Sequence, residues 1–285
     1  MRKTLAIVVI AALFGCENSD MKNDKPTINI NFNEPIQSLL SASTASLSRD
    51  CNSDICFYEF DTSSDSPNKA ILTIDSGGQS LVLEEVIGAM LMTYKSDFLA
   101  NSYITLNGVK PDTEHALAMQ YFNETIAKLN KAGWQRYIYP NEARIPGAEA
   151  KKFKEIDEIF GAPVGTGPWQ DPALKLSKDQ WLSLPMFNNW LFYKDSEYLK
   201  LTVQRENNSK APKEIGSYLF TLTFRSESDF YKGFIDDQEH DNWQKLLPAE
   251  LKRMAQERAQ TEARLKQMGI AIDENYQDPP IKALE

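Results

Sequence analysis

An α+β fold, with mainly antiparallel sheet, helices packed on one face and a long charged C-terminal helix, is predicted by three patterns in the sequence. Runs such as residues 198–203 and 218–224 alternate apolar and polar side chains, the two-residue period of strands with one wet face. Stretches such as residues 113–132 repeat apolar side chains every three or four positions, the period of a helix. Residues 248–268 are dense in Glu, Lys, Arg, Gln and Ala, which describes a mostly solvated helix.

The elements follow in order. Ile28, Ile30 and Phe32 alternate with asparagines and can form one edge strand, so the globular part starts near Ile28 or near Cys51. Residues 56–60 and 70–74 are β-type runs around a polar turn and read as a hairpin. Residues 80–94 place Val82, Val86, Met90 and Leu91 at helical spacing, with Glu84 and Glu85 matching the positive end of a helix dipole. A strand at 103–106 ends at Asn107 and Gly108. Asp112 or Thr113 then caps a long helix carrying Leu117, Tyr121, Ile126 and Leu129 on its apolar face, stopped by Gly133. Residues 134–139 return as a strand.

Residues 140–185 are the least regular part. A charged helix is expected at 147–159, followed by the turn formers of 161–169. Those glycines suggest a phosphate loop, but such a loop needs Lys-Ser/Thr and a helix behind it, and Pro168, Trp169 and Gln170 follow instead. A loop that packs Trp169 on a neighbour is the expectation. Residues 189–193, 198–203 and 218–224 read as a meander, and the charged helix at 248–268 ends at Gly269.

The N-terminus is organised differently. Arg2 and Lys3 precede an apolar run over residues 5–13, which is too short to span a bilayer, since a spanning helix needs ~20 apolar residues. Leu13, Phe14, Gly15 and Cys16 close the run, and this arrangement resembles the lipobox of bacterial lipoproteins. The resemblance implies a signal peptide at 1–15, removed after acylation (palmitate) of the Cys16 thiol, and a mature chain tethered to a membrane by lipid. Glu17, where Asp would signal inner-membrane retention, implies the outer membrane with the protein facing the periplasm. Residues 16–50, rich in Asn, Ser, Asp and Thr, read as a flexible tether. Residues 51–145 form a first α+β region and 146–285 a second with the C-terminal helix; the two can form one domain.

Cysteine and charge fit that location. With Cys16 committed to lipid, Cys51 and Cys56 remain as an even pair in an oxidising compartment, and a disulfide between them is expected. Neither histidine, His115 or His240, lies near them in sequence, which argues against a metal site. Of 285 residues, 31 are basic and 40 acidic; without the leader's Arg2 and Lys3 the net charge falls from −9 to about −11. Such a surface repels phosphate backbones, so nucleic acid is not an expected partner, while a basic protein partner is permitted.

No catalytic constellation stands out. There is no Gly-x-Ser-x-Gly elbow, His115 is expected on the polar side of a helix opening, and the adjacent carboxylates Glu84 with Glu85 and Asp236 with Asp237 point apart. The expectation is a non-enzyme without cofactors. Asp236, Asp237 and Glu239 beside Trp243 suggest a contact patch for a protein partner, an aromatic anchor among charges.

Residues 133–138, Pro140, residues 143–150, and later 181–185 and 190–193 are similar to segments of bacterial lipoproteins regarded as immunity proteins against type VI secretion effectors. That resemblance implies a periplasmic inhibitor of a secreted toxin. Alternatives are a non-catalytic envelope-assembly or binding lipoprotein and an envelope hydrolase.

Overall fold

The computed structural model describes residues 25–285; the leader at 1–15 and Cys16 lie outside the described residues. The chain folds as α+β around one large, mostly antiparallel sheet. Its first half supplies β1 (Thr27–Ile30), α1 (Ile36–Ala42), β2 (Ser48–Asn52), β3 (Ile55–Asp61), β4 (Ala70–Ile74), β5 (Leu81–Tyr94), β6 (Leu99–Leu106), β7 (Thr113–Glu114), α2 (His115–Lys131) and β8 (Gln135–Arg136). A short pair follows, β9 (Glu158–Ile159) with β10 (Ala162–Pro163), then α3 (Lys178–Ser183), the meander β11 (Phe187–Lys194), β12 (Glu197–Asn207) and β13 (Ile215–Ser226), and finally α4 (Glu227–Lys232) and α5 (Trp243–Gln267).

The main sheet runs β1-β4-β5-β6-β13-β12-β11-β8, and among the described residues only the β1–β4 pair is parallel. Because β6 pairs with β13, the sheet is continuous across both halves of the sequence. One face buries alternate residues such as Leu72, Leu91, Ile104, Leu222, Leu201 and Phe192 beneath α1, α2 and α3. On the other face α4 and the start of α5 cover one corner, where Leu191, Tyr198, Phe230, Tyr231, Trp243 and Leu247 pack together. Among the described residues nothing overlays the remainder of that second face, and Tyr103, Lys200 and Leu219 stand exposed on it.

Several expectations need correction. Residues 27–50 are no tether: Ile28, Ile30, Phe32, Ile36 and Leu39 enter the main core, and Asn29 ties β1 to the end of α1 through Ser43 and Ala42. Residues 80–94 form strand β5, not a helix. Glu85 takes a positive φ of 61° and the β5–β6 register shifts between Val86 and Gly88, so a bulge slips the two-residue alternation and imitates helical spacing. The runs 56–60 and 70–74 do not pair with each other; β4 lies against the first half of β5 and β3 against its second half, on the edge opposite β6.

Helix α2 begins after Glu114 without a side-chain cap, and Asp112, the expected cap, instead accepts from Asn208. Leu117 is exposed, while Ala118, Phe122, Ile126 and Leu129 form the buried stripe. Gly133, at φ 89°, turns the chain out of the helix in a conformation that favours glycine. Only Gln135 and Arg136 of the expected strand 134–139 pair, with β11. The expected helix at 147–159 is a single 3-10 stretch, Gly147–Lys152. Helix α5 starts before the expected position and keeps Pro248 inside, forgoing one backbone donor.

Candidate functional site

The sequence's candidate patch sits on the 3-10 turn Asp237–Asn242, between α4 and α5. Asp236 caps the turn by accepting from the Gln238 amide at 3.0 Å, and Asp236, Asp237 and Glu239 are all exposed. Asp237 lies 3.3 Å from Nε2 of His240, whose ring also reaches the Ile235 carbonyl at 3.2 Å. Trp243 is not a surface anchor. It is only 5 % exposed, packed in the second core cluster as the first residue of α5. Reading the helix as starting at Pro248 hid this, because the buried stripe Trp243, Leu247, Met254, Arg258, Glu262, Leu265 then lost its first two members.

Exposed aromatics do border the patch, but from elsewhere in the chain. Asp237 and His240 line one side of a groove of about 410 Å³ whose opposite side carries Tyr94 and Phe98, 40 % and 45 % exposed, at the turn joining β5 and β6. Lys95 at that turn lies 3.7 Å from Asp241 and over the Tyr94 ring, bridging the two sides. Arg225 and Asp229 form the groove's floor as an ion pair at 3.1 Å. Burial pushes the Asp229 carboxyl up, and the Arg225 charge opposes this. Tyr94 and Phe98 were invisible as a site in the sequence, because only the β5–β6 turn and its packing beside α4 bring them to Asp237.

Cys51 and Cys56 are bonded across the β2–β3 hairpin, where they occupy directly opposed positions. His115 is fully buried, not on a polar helix face. Trp181 Nε1 donates to the Tyr218 hydroxyl at 2.9 Å, that hydroxyl lies 2.5 Å from His115 Nδ1, and His115 Nε2 lies 3.1 Å from the Pro212 carbonyl. The arrangement suits a neutral imidazole with its proton on Nε2, and burial lowers its affinity for a second proton. Glu85 is held by Lys25 at 2.8 Å and Lys69 at 2.9 Å on the β5 bulge, which makes it a structural ion-pair member.

The glycine-rich loop at 161–169 does bind an anion, one supplied by the chain itself. The amides of Gly165 and Thr166 donate to the Glu142 carboxylate at 2.6 and 2.7 Å, joined by the Thr166 hydroxyl. Trp169 packs into the main core, as expected. Three arginines fix the surrounding irregular stretch. Arg136 donates to the carbonyls of Ile145, Thr166 and Gly167 and pairs with Asp171 at 3.0 Å; Arg144 pairs with Glu262; Arg258 donates to the carbonyls of Tyr139 and Glu142 and pairs with Asp278 at 2.7 Å. Among the described residues no group of three or more His, Cys, Asp or Glu side chains is placed to hold a metal ion, and no helix is long and apolar enough to cross a membrane.

No protein-family description matches the chain, and neither the curated proteins nor the solved structures include one similar to it at a significant level.

Proposed function

We propose that this protein is a lipid-anchored envelope protein, held at the periplasmic side of the outer membrane through Cys16, that binds and neutralises a secreted protein toxin. One observation carries the binding half of the reading: the groove between Tyr94 and Phe98 on one side and Asp237 and His240 on the other sets exposed aromatic area beside the exposed acidic turn of Asp236, Asp237 and Glu239. Aromatic anchors beside charges suit a protein partner, and Asp236, Asp237 and Glu239 favour a basic one through steering. The anchoring half rests on the lipobox-like residues 13–16. The toxin-neutralising role rests on the resemblance of residues 133–138, Pro140 and residues 143–150, 181–185 and 190–193 to immunity lipoproteins. Those residues supply core and clasp groups, such as Trp134, Arg136, Arg144, Trp181 and Trp190, and so bear on the scaffold rather than on the groove.

Two measurements test the reading. Cells fed labelled palmitate yield a labelled wild-type protein and an unlabelled Cys16→Ser variant. A strain lacking the gene is outcompeted by sister cells that secrete the toxin, and is rescued by the wild type but poorly by an Asp236→Lys/Asp237→Lys/Phe98→Ala variant expressed at the same level. Equal survival of the deletion strain sinks the toxin-neutralising role, and equal rescue by the variant removes the groove from it.

A further inference from the structure

Beside the groove, on the uncovered second face of the sheet, lies a smaller cavity of about 110 Å³. Its floor is built by strand register: Leu191, Lys200, Thr223 and Tyr103 stand opposite one another on β11, β12, β13 and β6, and Tyr198 opposes Arg225 one step along. Directly opposed residues share a face of the sheet, so these side chains converge by construction. Tyr139 and Phe230 close one side, with Phe230 stacked on Tyr198 at 3.9 Å and 4°.

Two features of this cavity point to a ligand. It holds two cations in a chain of net charge −9, and one of them, Lys200, has no neutralising partner close by. Lys200 has no carboxylate partner among the described residues, and Arg225 spends only its Nε on Asp229, 3.1 Å away. Partial burial and the neighbouring Arg225 both make the Lys200 ammonium costlier to keep, lowering its pKa. Around them stand the rings of Tyr103, Tyr139, Tyr198 and Phe230, with Leu191 and Thr223 between, so a flat apolar body finds aromatic faces next to the cations. A cavity of roughly 150 Å³ takes up benzene, so 110 Å³ with an open mouth takes a ring inserted part-way.

We infer that this cavity binds an organic anion with a flat apolar body, an aryl carboxylate in chemical class, its carboxylate held by Lys200 and Arg225 and its ring between Tyr139 and Tyr103. The Nη groups of Arg225 and the Lys200 ammonium supply charge-assisted donors for the two oxygens. The same chemistry is presented by a free aryl carboxylate and by the C-terminal aromatic residue of a polypeptide. The inference does not rest on the toxin-binding reading, since it needs neither Asp237 nor a toxin, although Arg225 borders both spaces.

Calorimetric titration of the full-length protein with benzoate, N-acetylphenylalanine and the uncharged benzamide tests it, alongside heteronuclear NMR. Expected are saturable binding of at least one anion, no binding of benzamide, and shifts centred on Leu199, Lys200 and Thr223. Lys200→Met, at an exposed position where folding is not at risk, weakens binding about tenfold, the usual cost of losing one charge-assisted bond. Binding of benzoate alone identifies a free small molecule as the source, and binding of N-acetylphenylalanine alone identifies a chain terminus. Absence of binding by both anions, equal binding of benzamide, or an unchanged affinity in Lys200→Met each overturns the inference.

Discussion

Arg144 and Glu262, 118 residues apart, meet in a two-pronged ion pair: Nε reaches Oε1 and Nη2 reaches Oε2, each at 2.8 Å, while the Arg144 amide donates to Oε1 at 3.0 Å. The pair fastens the irregular stretch after β8 to the buried stripe of α5. Burial alone would raise the Glu262 pKa, but the hydrogen bonds and charge of Arg144 outweigh it and hold the carboxyl below its ordinary value.

Glu262→Gln is therefore expected to lower unfolding free energy by about 1–3 kcal/mol at pH 7, the usual cost of a lost charge-assisted bond. A depressed folded-state pKa contributes stability that is present above the ordinary value of 4.5 and disappears as pH falls through the lower, folded value. The gap between wild type and variant in urea titrations should thus be full at pH 7 and shrink below pH 4.5. A gap independent of pH would contradict the ion-pair account.

Glu197 carries the opposite sign. It is buried beside the β11–β12 turn, its Oε2 has no hydrogen-bond partner, and burial pushes its pKa to about 8 despite the nearby Lys194. Unfolding releases a proton from this group between pH 4.5 and 8, so its stability contribution is full below the lower value and is lost as pH rises through the upper. Glu197→Gln keeps the shape without the proton, and is expected to raise the melting temperature at pH 8 and to leave it nearly unchanged at pH 4.5. Each pH unit of that window is worth ~1.4 kcal/mol as an upper bound. Differential scanning fluorimetry across the range decides it.

His115 is expected to make the fold acid-sensitive. Its folded-state pKa lies below 6.5, so the unfolded chain takes up a proton first and stability falls as pH drops below that value. His115→Gln costs about 1–3 kcal/mol at pH 7 because Tyr218 and Pro212 lose their partner. It also flattens the slope below pH 6.5. Parallel slopes for the two proteins would show that other groups govern this range.

Removing the Cys51–Cys56 bond with paired serines is expected to cost no more than about 2 kcal/mol, since the closed loop is short. The effect should read as earlier opening of the β2–β3 hairpin in hydrogen exchange, with little change in α2 or α5.

The β12–β13 part of the meander was legible because apolar and polar side chains alternate in the sequence from Leu199 to Val203 and from Phe220 to Phe224. Strand β5 was not, because one positive-φ residue, Glu85, resets the phase that periodicity depends on. Asp236, Asp237 and Glu239 were recognisable as exposed from composition alone. Their aromatic neighbours were not, since Phe98 reaches Asp237 only through packing between segments some 140 residues apart. The Lys200–Arg225 cavity depends in the same way on strand register, which local sequence does not encode.

The tail of the chain locks onto residues laid down long before it. Ile138 donates its amide to the Tyr276 hydroxyl, Asp278 neutralises Arg258, and the amides of Lys282 and Ala283 both donate to Glu227. The Arg136–Asp171 and Arg144–Glu262 pairs and the strand ladder from β1 to β13 need none of these residues, whereas the Arg258–Asp278 pair and the Glu227 contacts do, so loosening residues 276–285 frees α4 and the middle of α5 while leaving the sheet paired.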